Sequence, residues 1–228
     1  MVKAVSKAEK AQPKHLKAVS FVINSPGGSP VYSSLIGERI ASFAKNSKVP
    51  LYTFSEDVAA SGGYWLLCMG DEVYTHETSM VGSIGVISVA TAFKGVLDKN
   101  KIQRHLITTS ENIQEVKFDN MIEDGISEKR KQETHKIQQD IFVYFKEHVM
   151  KYRADKFAEE NHPQIFSADV VMGNRAKELG LVDDIGEVES VMKAKFGDKV
   201  KIKNFSKVNK FQEFIQKLQG QASARIQQ

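Results

Sequence analysis

One hydroxyl sits among four of the smallest side chains at Ala59-Ala60-Ser61-Gly62-Gly63, between the apolar residues 49–54 and the longer apolar run 64–69. A serine at the start of a helix lies where unpaired backbone N–H groups and the helix dipole favour negative charge, which suits an alkoxide or a tetrahedral oxyanion. Its small neighbours leave room for a substrate backbone. The same five residues also fit an N-cap serine in a tight helix contact with no chemistry attached. The spacing is not GxSxG, so the nucleophile-elbow motif does not apply. A second glycine pair stands in Asn24-Ser25-Pro26-Gly27-Gly28. It lacks the lysine and spacing of a P-loop. As an oxyanion hole facing Ser61 its N–H groups make geometric sense, and the alternative is a plain strand-to-helix turn.

The elements that must position these residues are readable from periodicity. Residues 1–16 predict a polar helix broken near Pro13, and residues 17–23 a buried β-rich strand. Leu35, Ile36, Ile40, Phe43 and Ala44 recur at helical spacing, and residues 50–54 form the next apolar run. Strand, glycine turn, helix and strand in that order predict a βαβ unit with parallel strands. Its carboxyl edge is where open α/β sheets bind ligands. A short apolar helix follows Ser61, then a strand at residues 72–74, a glycine-punctuated segment at 80–87 and further short strands and helices to 109. Residues 127–153 predict one long amphipathic helix with Ile137, Ile141, Tyr144, Phe145 and His148 on a stripe. Residues 167–179 and 187–196 predict shorter helices ended by Gly180 and Gly197. Residues 199–205 predict a last strand. A terminal helix carrying Phe211, Phe214, Ile215 and Leu218 completes the chain.

Composition narrows the function classes. The chain has 228 residues, 41% of them hydrophobic, and a net charge of +4 from 32 basic and 28 acidic side chains spread along its length. That balance carries no nucleic-acid or polybasic signature, and the lysine-rich end reads as a solvated face. One cysteine, Cys68, excludes an internal disulfide framework and reads as a small core residue. Six isolated histidines without HExxH or CxxC spacing argue against zinc, and no other metal or nucleotide is implied. No apolar run reaches the ~18 to 20 residues of a membrane span, and the lysine-rich start lacks the apolar core of a secretory signal, so the expectation is a soluble chain. Compartment is left open.

Five segments together carry a resemblance. INSPGGSP, EDVAASGGYW, VGSIGVI, the SEN of TTSENIQ and NRAKELGLVDDIG, in this order, resemble the signal peptide peptidase A or protease IV family over residues 19–186. The resemblance implies a ClpP/crotonase-like α/β fold: a repeated ββα-type core, a mostly parallel sheet, flanking helices and a helical extension. It places one peptidase domain at residues 1–205 and a helical tail at 206–228. It implies a serine endopeptidase with a lysine base, acting on peptides such as signal-peptide remnants. Residue by residue, Ser61 resembles the nucleophile, Gly27 and Gly28 the oxyanion hole, and Ser83 the hydroxyl that supports the lysine. It also implies a homo-oligomeric ring, or one mixed with a paralogue, and no nucleic-acid partner.

The sequence departs from that pattern in two places. Where the family carries its lysine, in the run Ser110-Glu111-Asn112-Ile113-Gln114-Glu115-Val116-Lys117, this chain has Ile113. A serine needs a neighbouring base to take its proton, and a lysine serves only when burial lowers its pKa from ~10.4 toward ~7 to 8. Lys117, four positions on, would stand about 6 Å away along a helix and about 13 Å away along a strand. It is the candidate base, with a solvated surface lysine as the alternative. A base lent by a neighbouring subunit and a pseudopeptidase that binds peptides without turnover are the competing readings. A crotonase-like enzyme acting on acyl thioesters shares the fold but leaves the serine motif unexplained. The second departure is at the start, where the family has a further strand and often a membrane anchor; here the expectation is either a truncated chain or an unfilled sheet edge open to pairing with another chain. Membrane association is expected only through such segments.

Overall fold

The computed structural model describes residues 2–11, 15–89, 91–103, 105 and 128–206. In chain order the helices are α1 (Val2–Ala11), α2 (Pro30–Ser47), α3 (Gly62–Leu67), α4 (Lys94–Lys99), α5 (Glu128–Arg153), α6 (His162–Ile165), α7 (Gly173–Glu178) and α8 (Val188–Phe196). The strands are β1 (Val19–Ser25), β2 (Leu51–Ala60), β3 (Glu72–Thr75), β4 (Met80–Gly82), β5 (Val170–Met172) and β6 (Asp184–Ile185).

β1, α2 and β2 form the expected βαβ unit, with β1 and β2 parallel. α2 starts earlier than the apolar spacing predicts. Ser29 accepts a hydrogen bond from the Tyr32 amide, and Pro30 supplies a first helical residue whose missing N–H costs nothing there. Lys48, in a left-handed conformation at φ 55°, closes the helix.

β2 is the centre of the sheet. β1 lies along one of its edges, while β3 pairs with Tyr52–Phe54 and β4 with Val58–Ala60 on the other, all in parallel. β6 adds to β3 in parallel and β5 to β4 antiparallel, so the sheet is mixed but mostly parallel. Between Ile23 and Ser25 on β1, the partner advances from Ser55 to Ala59 on β2. The extra residues form a bulge at the exposed Glu56 and Asp57, with the Asp57 carboxylate accepting from Asn24 Nδ2 at 3.0 Å. That irregularity divides β2 into a half serving β3 and a half serving β4.

Alternate residues of β2 face opposite layers, as the two-residue strand period requires. Tyr52 and Phe54 pack with Tyr74 and Met192 under α8. Leu51 packs with Ile40 and Ala44 of α2, and Thr53 donates to the Leu67 carbonyl of α3 at 2.6 Å. The largest cluster joins Ile23, Ala59, Leu67, Val73 and Val81 to Phe145 and Val149 of α5 and to Leu179, Leu181 and Val182. Burial of β2 on both faces explains its nearly continuous apolar run. Cys68 is buried in this core.

Three expectations need correction. Residues 167–179 are not one helix: Val170–Met172 pairs with β4, and only Gly173–Glu178 is helical. Sheet pairing overrides the local helical pattern there. No strand forms at residues 199–205. On α5 the stripe holds for Ile141, Phe145 and His148, but Ile137 and Tyr144 are 53% and 66% exposed. The buried face is Phe145, Val149 and Arg153, because only the second half of the helix reaches the core. The short strands and helices expected up to residue 109 reduce, among the described residues, to α4, and the tail beyond residue 206 lies outside them. No described helix is long and apolar enough to cross a membrane.

Arg153 is 1% exposed and is the fixed point of the carboxyl-terminal half. Its guanidinium donates to Asp183 at 2.8 Å and twice to the Gly180 carbonyl, at 2.6 and 3.1 Å. Asp183 also accepts from the Val73 amide at 2.8 Å, which joins α5, β3 and the 180–183 turn. Burial works against the Asp183 charge, but the hydrogen bond and charge of Arg153 outweigh it and hold the carboxyl below the usual carboxylate range. A carboxylate with a depressed folded value contributes stability above its unfolded pKa and loses it as pH falls through the folded value. Arg153→Leu leaves Asp183 with only the more exposed Lys156, at 3.3 Å, as a cationic partner and the Gly180 carbonyl without its donor, and urea unfolding at pH 7 is expected to show a loss of about 3 kcal/mol. The gap between wild type and Arg153→Leu is expected to narrow as pH falls through the carboxylate range, leaving the part due to the lost Gly180 hydrogen bonds.

Candidate active site

Ser61 stands at the carboxyl end of β2, in the single residue between the strand and α3. Its backbone is at φ 51°, ψ −120°, a conformation a non-glycine residue adopts only when its surroundings hold it there. The register of β2 with β4 supplies that hold. Ala60 is paired with Gly82, and the Ser61 amide donates to the Gly82 carbonyl at 2.8 Å. On the other side the Ser61 carbonyl accepts from the Trp65 amide at 3.0 Å, which starts α3. Ser61 therefore occupies the N-cap position, yet its hydroxyl makes no capping hydrogen bond. The capping alternative for this serine is not what the geometry shows.

The same register sets Ser83 beside Ser61, one residue past the Ala60–Gly82 pair. Ser83 also has a left-handed backbone, at φ 51°, and its amide donates to the Asp169 carbonyl at 2.7 Å. Two adjacent parallel strands thus end in two strained serines.

The glycine turn after β1 is pressed against this junction. A Cβ on Gly27 would stand 2.8 Å from Ser61 Cβ, 3.0 Å from the Ala60 oxygen and 3.1 Å from the Gly62 nitrogen. Gly27 also has φ 115°, so the site admits no side chain on either ground. A Cβ on Gly63 would meet the Ser25 carbonyl oxygen at 2.4 Å. The glycines on both sides exist so that two backbones can touch.

The hydrogen bonds distinguish the amides around the junction. Gly27 N–H is engaged by the Ser25 hydroxyl at 3.2 Å. Gly28 N–H has no partner among the described residues, and its nitrogen is 3.3 Å from the position of a Cβ built on Gly62. Gly62 N–H is the first amide of α3, one of the donors that a helix start leaves without an intrahelical partner. That leaves the Gly28 and Gly62 amides, rather than that of Gly27, open at this junction among the described residues. Gly62 was not foreseen from the motif, although the amide after a serine at a helix start is the signal that points to it.

No residue between 106 and 127 belongs to the described part, so Ile113 and Lys117 lie outside it. One described histidine touches α3: His148 Nε2 lies 2.9 Å from the Trp65 carbonyl oxygen. A carbonyl only accepts, so that nitrogen carries a proton and is no base for Ser61. Burial, outweighing this hydrogen bond, depresses His148 to about 4. The thiol of Cys68, on the same stretch of chain, is pushed up by burial and is no nucleophile.

Comparison with known proteins decides the family. Residues 43–202, 160 of 228 residues, match peptidase family S49. The chain belongs to peptidase family S49. The mixed α/β sheet with flanking helices is consistent with the ClpP/crotonase-like fold expected of an S49 chain. A putative signal peptide peptidase SppA of Enterococcus faecium is 29% identical over 183 residues, covering 78% of this chain and 50% of that protein. Protease 4 of Haemophilus influenzae is 28% identical over 181 residues, covering 78% of this chain and 28% of that protein. A Brucella abortus protein named Na(+)/H(+) antiporter NhaA is 37% identical over 190 residues, covering 83% of this chain and 25% of that protein. The chain thus spans between a quarter and a half of these relatives. The protease-named relatives agree with a serine-type S49 assignment.

Contrasting glycine substitutions test the cradle. Gly27→Ala combines a positive φ with a backbone collision and is expected to cost about 2 to 5 kcal/mol in urea unfolding. Gly28→Ala has φ 149° but open space around its Cβ, and about 1 to 2 kcal/mol is expected.

Proposed function

We propose that this chain is a serine endopeptidase unit in which Ser61 attacks the carbonyl of a peptide bond. The observation that carries the reading is the Ser61 backbone, held at φ 51°, ψ −120° against a glycine turn with its hydroxyl left out of capping. In the attack Ser61 Oγ bonds to the carbonyl carbon as its proton passes to a base. The developing oxyanion accepts from Gly28 and Gly62 N–H, with Gly27 shaping the turn. Collapse expels the amine with a proton from the base and leaves an acyl-Ser61 ester, which water hydrolyses by the reverse transfer. Ser83 supports the base through its hydroxyl. Lys117 is the proposed base, and it serves only with a pKa lowered by burial toward ~7 to 8.

Short apolar peptides such as signal-peptide remnants are the proposed substrates, in line with the name of the Enterococcus faecium relative. Residues 1–205 are proposed to act as one peptidase domain with 206–228 as its tail, assembling into a homo-oligomeric ring.

A second reading is favoured by Ile113, which stands where the family resemblance puts the lysine. In it the chain binds peptides without turnover, or receives its base from a lysine-bearing subunit in a mixed ring.

Intact-mass measurement after treatment with a fluorophosphonate separates the two. A single adduct on wild type, absent from Ser61→Ala and slowed by at least about a hundredfold in Lys117→Ala, is the expected result. No adduct on the folded wild type favours the second reading. An adduct unaffected by Lys117→Ala removes Lys117 from the mechanism.

A further inference from the structure

We propose that His148 is a positioning residue for Ser61, acting from α5 through the far end of α3. The proposal rests on the reading of Ser61 as nucleophile. α3 has six residues, too short for its own hydrogen bonds to hold its direction. Its amino end carries Ser61, whose carbonyl accepts from the Trp65 amide at 3.0 Å. The carbonyl of the same Trp65 accepts from His148 Nε2 at 2.9 Å. One residue therefore links the serine to α5, through its own N–H on one side and its own carbonyl on the other.

The ring contacts reinforce the link. The imidazole is stacked on the Trp65 indole, with centroids 4.0 Å apart and planes at 15°. Phe145, one turn earlier on α5, lies 5.4 Å from the same indole, and Tyr152 flanks His148 at 5.0 Å. Sliding or rotating α3 breaks the stack and the hydrogen bond together. Among the described residues the buried indole Nε1 has no partner, so the stack is the contact that fixes the ring there.

Neutral imidazole is the form that fits. With Nε2–H committed to a carbonyl, a second proton goes to Nδ1 beside the indole face. Lys151 on α5 opposes that charge, and Glu38 on α2 favours it; Tyr152 presents its ring. The clamp is expected to hold through the neutral range and to loosen on acidification.

The test uses the chain's single tryptophan. Trp65 emission is recorded from pH 7 to pH 3.5 in wild type and in His148→Gln. A transition centred near 4 in wild type and missing in His148→Gln is expected. Superimposable curves overturn the contact. Ser61 labelling by a fluorophosphonate is then timed at pH 7.5. His148→Phe, which keeps a ring but no donor, is expected to react about tenfold more slowly. His148→Gln, which restores an N–H donor, is expected to come within about threefold of wild type. Equal rates in all three proteins overturn the positioning role. A wild type with the emission transition but no labelling locates the failure in the Ser61 reading, and the proposal falls with it.

Discussion

The site depends on one close approach of backbones. The turn after β1 lies so near the β2–α3 junction that no Cβ fits at Gly27 against Ser61, or at Gly63 against the Ser25 carbonyl. Because the junction is wedged there, and because the Ser61 amide is tied to Gly82 on β4, the serine keeps a backbone conformation it would otherwise leave. The bulge at Glu56 and Asp57 belongs to the same constraint. It lets β2 leave its pairing with β3 and meet β4, so that Ser61 and Ser83 end side by side.

Behind the junction, three polar contacts tie α3 and its neighbours to the carboxyl-terminal half. Tyr64 donates to the Leu181 carbonyl at 3.0 Å, His148 to that of Trp65, and the Val73 amide of β3 to Asp183, which Arg153 holds in place. The motif NRAKELGLVDDIG is thereby explained without any catalytic part. Its Gly180, at φ 78°, turns the chain so that its own carbonyl meets Arg153 of α5, the Leu181 carbonyl meets Tyr64 of α3, and Asp183 meets β3.

Much of this was legible before any coordinates. β1, α2 and β2 follow from apolar runs separated by Asn24-Ser25-Pro26-Gly27-Gly28, and a serine between two alanines and two glycines points to a crowded junction. What escaped did so for physical reasons. Val170–Met172 sits in a helix-like pattern, and only its partner β4, ninety residues earlier, makes it a strand. Ile137 and Tyr144 satisfy a helical stripe on a part of α5 that reaches past the core. The bulge in β2 leaves no periodic trace. Gly27 and Gly28 look equivalent in sequence, and the Ser25 hydroxyl, which engages one and not the other, distinguishes them.

The most direct measurement is a crystal structure of the chain after reaction with a peptidyl boronate or fluorophosphonate. The cradle geometry predicts a covalent bond to Ser61 Oγ, with one oxygen of the adduct about 2.7 to 3.1 Å from the amides of Gly28 and Gly62. An adduct whose oxygens face solvent, or one formed on any other residue, would contradict it.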